Sequence, residues 1–325
     1  MTHRRSFLFA LSPLIIVAAM CTGCGGENLA SASVAGVEKP NLTVSVVPAV
    51  DSAGFFVALH QGLFAAQGLN VSYVPAQSSA DSITGQVSGR FDITEGNYVS
   101  YVQAQFTGTA RLRIIAEASV NQQNAHDIYT LPGSPITSLD QLSGSRIAVN
   151  APFNVDYLLD ASLLSDNALS PSQVHFAVVP FQRMITELRD HQIDAATLPE
   201  PFASIAQETV GATVLADTNQ GATQQFPIAG YVVTRAWAQK YPGTLAAFLR
   251  ALKQGQQAAD TDRGAVEQAM EAYLRPQGVR PVIAAVMTLD TYPLAIDPVR
   301  LQRIPDIMFQ FGLLPRTFSI RQMLG

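Results

Sequence analysis

The chain has 325 residues, 48% of them hydrophobic and 14% charged, with a formal net charge of −5. That length fits two ordinary domains or one large α/β domain, and the apolar fraction excludes disorder as the principal state. Net acidity argues against nucleic acid, whose phosphates demand a basic stripe. Because both cysteines, Cys21 and Cys24, stand near the start, the body of the chain has no disulfide, thiol nucleophile or cysteine metal site.

In chain order the first segment is an address. Met1 to Ala19 combines a basic start with an apolar run, Phe7 to Met20. The run is too short to span a bilayer comfortably, which takes about 20 apolar residues, so residues 1–23 read as a signal peptide. Arg4-Arg5-Ser6-Phe7-Leu8 resembles the twin-arginine export pattern. Cys21-Thr22-Gly23-Cys24-Gly25-Gly26 resembles a bacterial lipobox, in which small residues precede the cysteine that receives the lipid. Thr22 and Gly23 make Cys24 the candidate for lipidation, although Cys21 stands where that pattern prefers leucine. Plain secretion with cleavage nearby is the alternative. Residues 24–40 are small, polar and aperiodic, and read as a tether.

From Leu42 onward strand and helix alternate. Leu42 to Val47 is β-branched and alternating, a strand. Ala53 to Gln67 has helical apolar spacing and stops at Gly68. Strands over 70–74, 91–94 and 112–116 enclose helices over 80–87 and 97–106. This βαβαβαβ order predicts a parallel sheet covered on both faces. A second series has a short helix at 139–142, strands at 146–149, 174–179, 193–197 and 213–215, and helices at 155–165 and 181–189. Residues 227–234 are extended, and from Ala236 onward the pattern is mostly helical, clearest over 298–311.

Within this alternation lies a repeat. Val71-Ser-Tyr-Val-Pro75 leads through a helix to Arg90-Phe91-Asp92, and Val174 to Pro180 leads through a helix to Gln192-Ile193-Asp194. The first copy is longer at Gln77-Ser78-Ser79, a strand-to-helix turn. One βαβ unit used twice predicts two similar lobes.

These segments also resemble a family. Ser52 to Val71 is similar to the opening of bacterial ABC-importer substrate-binding proteins of the nitrate, taurine, aliphatic-sulfonate and thiamine-pyrimidine-precursor branch. Ser88-Gly-Arg-Phe-Asp92, Leu139 to Val149 and Ile193-Asp-Ala-Ala-Thr-Leu-Pro-Glu-Pro201 match later landmarks. The resemblance implies a type II periplasmic-binding-protein fold: two Rossmann-like α/β lobes, mainly parallel, joined by two crossovers around a ligand cleft. Lobe 1 is expected over 41–127 and 231–325, lobe 2 over 128–230, with crossovers near Asp127 to Leu131 and Gln225 to Val233. The expected partners are a small-molecule ligand, an ABC permease with its ATPase, and a membrane reached through the lipid anchor. The chain is expected to be a monomer facing the periplasm or outer surface, with no cofactor, no metal and no nucleic acid.

Ligands in parallel α/β folds sit at the carboxyl ends of strands. Those loops nominate Asp51, Phe55, Ser78, Ser79, Asn97, Tyr98, Phe153, Asn154, Asp156 and Glu200. Ser79, Asn154 and Asp156 stand at helix starts, where they serve equally as N-caps. The cleft loops carry Asp51, Asp81, Glu95, Asp156 and Glu200 but only one base, Arg183. Carboxylates with aromatic faces suit a planar nitrogen heterocycle or an amine-bearing ligand; sulfonate, taurine or nitrate is the alternative. Asp92 and Asp194, before buried strands, read as structural.

Two other classes compete. Eukaryotic relatives of this fold that make a thiamine pyrimidine use pyridoxal phosphate on a lysine. Here the lysines are Lys39, Lys240 and Lys253, none in a cleft loop. The histidines are scattered, without metal-ligand spacing. An effector domain of a transcription regulator conflicts with the export signal. The expected function is solute capture without catalysis.

Overall fold

The computed structural model describes residues 36–325. The signal peptide, Cys24 and the first part of the tether lie outside these residues. Two five-stranded sheets form the frame. The first contains β1 (Asn41–Val46), β2 (Asn70–Pro75), β3 (Ile93–Asn97), β4 (Leu112–Val120) and β10 (Pro227–Thr234), in the order β2-β1-β3-β10-β4. The second contains β5 (His126–Thr130), β6 (Arg146–Val149), β7 (His175–Val178), β8 (Ala195–Pro199) and β9 (Thr213–Asp217), ordered β7-β6-β8-β5-β9. In each sheet three parallel strands run 2-1-3, and the next position is an antiparallel strand, β10 or β5. Each antiparallel strand is the one by which the chain enters from the other sheet. This is the two-lobe α/β arrangement of periplasmic binding proteins.

The helices follow the sequence pattern with two departures. Ala53 to Gln67 divides into α1 (Ala53–His60) and α2 (Leu63–Ala66), because Gly62 takes a left-handed conformation, φ 69°, that glycine adopts without a Cβ penalty. Helices α3 (Ser79–Val87), α4 (Tyr98–Phe106), α5 (Val155–Asp166) and α6 (Phe181–Arg189) lie where the periodicity put them. Helix α7 (Phe202–Val210), directly after the landmark at Pro201, is absent from the sequence reading. After β10 come α8 (Arg235–Lys240), α9 (Pro242–Thr261), α10 (Arg263–Leu274), α11 (Pro281–Val286) and α12 (Pro298–Gln310).

The first lobe has the larger core. Phe55, Phe56 and Phe64 of α1 and α2 pack together, and Phe64 stacks on Phe248 of α9 at 5.0 Å. Each such ring removed from water contributes about 1.5–3 kcal/mol. The second lobe splits its core across its sheet: Phe181, Met184 and Phe202 on one face, Leu142, Leu163 and Leu164 on the other.

The division between lobes sits a few residues from where the sequence put it. His126 and Asp127 already pair in the second sheet, and Pro227 to Gly230 already pair in the first. The crossovers are therefore the short spans 121–125 and 218–226. The segments Asp127 to Leu131 and Gln225 to Val233 are mostly the strands these spans feed, since an apolar extended run reads alike as strand or connector. The two crossovers touch where the Asn121 N–H donates to Phe226 O at 2.9 Å. Each contains a non-glycine residue in the left-handed region, Asn124 (φ 62°) and Gln225 (φ 47°). The guanidinium of Arg303 on α12 donates to the carbonyls of Ala222, Gln224 and Gln225 at 2.9, 2.7 and 3.0 Å.

Candidate functional site

The carboxyl ends of the parallel strands of both sheets converge on one cavity of about 20 Å³. The first lobe lines it with Val47, Asp51, Ser79, Gly96 and Asn97; the second with His126, Asn150, Val155, Asp156, Phe181 and Pro199. That volume is on the order of a single water-sized sphere, so an organic solute enters only when the lobes part. Contacts across the boundary draw them together. The Val50 N–H donates to Glu200 O at 2.8 Å, Asn150 Nδ2 to Gln77 O at 3.3 Å and Gln103 Nε2 to Phe153 O at 2.8 Å. Apolar groups also cross it: Val155 and Leu158 of α5 belong to the first lobe's core cluster, and Val47 and Ala76 to a cluster of the second.

Three helix starts face the cavity. Asn97 caps α4, its Oδ1 accepting the Ser100 N–H at 2.9 Å. Asn154 caps α5, accepting the Tyr157 N–H at 3.2 Å. At the start of α3, Ser79 Oγ accepts from both Asn97 N and Nδ2 at 2.9 Å. Gly96 lets this pair close, because a Cβ there would stand 2.4 Å from Ser79 Oγ.

Carboxyls dominate the electrostatics. Glu95 accepts the Val47 N–H at 3.1 Å on one oxygen, while its other oxygen has no partner. Burial, then the Asp51 charge, pushes Glu95 well above the usual carboxylate range. Asp156 accepts the Asn150 N–H at 3.0 Å and Asn154 Nδ2 at 3.1 Å on Oδ2. Its Oδ1 lies 3.1 Å from His126 Nε2, an ion-pair distance, though the two are not aligned as a hydrogen bond. Burial pulls the His126 imidazole down, but Asp156, Asp51 and Asp160 together hold it above its ordinary value. Asp160 accepts the Thr197 hydroxyl at 2.6 Å, and burial pushes it up to about 8, with the hydroxyl opposing and Asp156 adding. Behind Asp51, whose Oδ1 accepts Ser119 Oγ at 3.3 Å, stands Asp290, raised by burial and by Asp51.

Of the residues nominated from sequence, Asp51, Ser79, Asn97 and Asp156 line this cavity, and Asn154 braces Asp156 from behind. The others have different places. Phe55 and Tyr98 are fully buried in the first lobe's core, because the helices they begin turn these rings toward the sheet. Ser78 caps α3 through the Asp81 N–H at 3.2 Å and does not reach the cavity. Phe153 is 59% exposed at the boundary, its ring on Tyr157 at 5.2 Å. Glu200 is turned away, accepting Ser204 N, Ser204 Oγ and Thr288 N at 3.1, 2.8 and 3.2 Å. Sequence reasoning missed His126, Asn150 and Asp290. Asn150 directly follows the strand at 146–149 and was legible as a loop position. His126 and Asp290 were not, since only the crossover and the chain's return bring them in. Among the described residues no group of three or more His, Cys, Asp or Glu is placed to hold a metal.

A family model described as "NMT1/THI5 like" matches residues 49–262, more than half of the chain. The chain belongs to the NMT1/THI5-like family. Its fold is shared with solved proteins of low identity. The periplasmic aliphatic sulphonate binding protein SsuA from Escherichia coli is 18% identical, with a TM-score of 0.70 over 87% of this chain and 97% of that one. The periplasmic nitrate-binding protein NrtA from Synechocystis PCC 6803 is 15% identical, with a TM-score of 0.72 over 89% and 85%. Among curated proteins, the bicarbonate transport ATP-binding protein CmpC of Synechococcus elongatus is 24% identical over 233 residues, 67% of this chain and 35% of that protein. The chain thus spans about a third of the length of the curated relatives it matches.

Proposed function

We propose that this NMT1/THI5-like protein is the solute-binding component of an ABC-type importer, exported and anchored by lipid at Cys24. It captures a small nitrogen-bearing organic ligand, amine-containing or like a thiamine pyrimidine precursor, by closing two lobes upon it, and then docks as a monomer to a permease and its ATPase. One observation carries this reading: the cavity lined by both sheets holds a carboxyl from each lobe, Asp51 on one side and Asp156 on the other, with His126 as the single basic side chain among its lining residues. The sulphonate-binding SsuA and the nitrate-binding NrtA, which share this fold, support the solute-binding part. Grip suffices for this task, and the lining supplies no nucleophile–base pair and no lysine for a Schiff base.

A second reading has its own support. The starts of α3, α4 and α5 stand at the cavity, contributing Ser79, Asn97 and Val155 to its lining, and a helix start favours an anion such as nitrate, taurine or an alkanesulfonate. The carboxylates oppose it. Thermal-shift and calorimetric screening of the purified chain against pyrimidines, small amines, taurine, alkanesulfonates and nitrate decides between them. Stabilisation by nitrogen bases supports the first reading; stabilisation by sulfonates or nitrate alone replaces it with the second.

A further inference from the structure

Asp156 and His126, which both line the cavity, each leave one buried polar atom without an aligned partner. Asp156 is 1% exposed; its Oδ2 already accepts from the Asn150 N–H and from Asn154 Nδ2, while its Oδ1 has no hydrogen bond. His126 is 3% exposed, and its Nε2, 3.1 Å from that Oδ1, has none either. A carboxylate oxygen only accepts, so the imidazole nitrogen beside it is held with a proton on Nε2, in the neutral ring and in the charged one alike. The pair therefore presents an N–H donor and an oxygen acceptor side by side. Buried polar atoms left unaligned are costly, and a native structure keeps them where something else completes them. Every residue that builds this edge belongs to the second lobe: His126 opens β5, Asn150 follows β6, and Asn154 and Asp156 stand at the start of α5. The Thr218 hydroxyl of the other crossover donates to His126 O and holds the backbone there. The edge thus stays whole when the lobes part. Phe181 adds a flat wall to the same lining, its ring stacked on Phe202 at 5.2 Å.

We propose that His126 Nε2 and Asp156 Oδ1 together read one edge of the ligand, on which an acceptor atom and an N–H donor stand side by side, as in an amide, an amidine base or an amino-substituted azine ring. The inference rests on the nitrogen-bearing reading above and narrows it: the ligand nitrogen is recognised by its hydrogen-bond pattern rather than by its charge. The ligand acceptor takes the His126 N–H and the ligand donor gives to Asp156, so each buried atom gains its partner and no proton changes hands. Asp156 then has two tasks, Oδ2 holding the loop and helix start of its own lobe and Oδ1 meeting the ligand.

NMR titration of the full chain with four small ring compounds tests this. 2-Aminopyrimidine carries the whole edge; pyrimidine and 2-(dimethylamino)pyrimidine keep the acceptor without the donor; aniline keeps the donor without the acceptor. 2-Aminopyrimidine should bind roughly tenfold or more tightly than each of the others. His126→Phe should erase its advantage over aniline and leave its advantage over pyrimidine in place. His126→Gln, which keeps an amide donor, should restore much of the lost preference, and it replaces the Phe variant if that one folds poorly. A loss shared equally by all four compounds makes His126 structural and overturns the edge. Equal binding of 2-aminopyrimidine and pyrimidine also overturns it, and both results leave the nitrogen-bearing reading standing. Benzenesulfonate is the anionic counterpart, and if it alone binds, both readings fall. If none of the five binds, the edge falls, and the small amines of the thermal-shift screen above decide the nitrogen-bearing reading.

Discussion

The two lobes carry the same backbone device in different surroundings. Before β3, Asp92 takes the Thr43 N–H on its carboxylate at 3.0 Å, while its own N–H donates to Thr43 O at 2.8 Å. Before β8, Asp194 does the same with Arg146, at 2.8 and 2.9 Å. The repeat seen in sequence is thus a repeated way of joining the third strand to the first. Yet Asp92 is buried and also holds Lys39 and Trp237 Nε1, while Asp194 is exposed and holds nothing further. The site diverges similarly. The N–H that follows the first strand is taken by Glu95 from β3 in one lobe, and by Asp156 from α5 in the other. The lesson is that the two lobes share a frame but place their acids on different elements.

That asymmetry can be pressed by mutation. The largest effect belongs to the first lobe's core: Phe55→Ala should cost roughly 3–5 kcal/mol in chemical denaturation. A loss of ligand affinity at unchanged stability would instead return Phe55 to the cavity wall. Next, Asp92→Ala should destabilise by about 2–3 kcal/mol, since it strands buried donors, whereas Asp194→Ala should cost only about 0.5–1.5 kcal/mol. Equal costs would dissolve the distinction drawn between the lobes.

A third expectation concerns pH. Asp160, at about 8 in the folded lobe against an ordinary value near ~3.9 unfolded, binds its proton more tightly when folded. Between those values the folded state holds more protons, so stability falls as pH rises from about 4 to 8. The raised His126 acts in the same direction as pH climbs past its own range. Asp160→Asn keeps an acceptor for Thr197 and should flatten the dependence measured by denaturation at several pH values; an unchanged slope contradicts the assignment. The smallest effect is at the boundary: Gln103→Ala removes the bond to Phe153 O and should weaken closure by about 0.5–1.5 kcal/mol, read as a few-fold loss of affinity with an unaltered melt.

Much of this was legible in the chain. Alternation and helical spacing located the strands and most helices, and the repeated aspartates marked equivalent places. Four cavity residues, Asp51, Ser79, Asn97 and Asp156, follow from the rule that ligands sit at strand ends. The misses have physical causes. Phe55 and Tyr98 begin helices in the right loops, but a helix start shows only some of its side chains to the cleft. Residues at a strand end and residues that face outward from it look alike in one dimension. His126 reaches the cavity through a crossover, and Asp290 comes to stand behind Asp51 through a returning segment, so no local pattern announces them.

Spin labels on α3 and α6, the two helices of the repeat, test the central claim that the lobes close on a solute. Thr84→Cys and Gln182→Cys, with Cys21 and Cys24 replaced by serine, place one label on each lobe at exposed positions. Pulsed dipolar spectroscopy should give a broad or longer distance distribution that collapses to one short distance when a compound that stabilises the protein is added. A distribution unmoved by a compound that calorimetry shows to be bound would contradict closure as the means of capture.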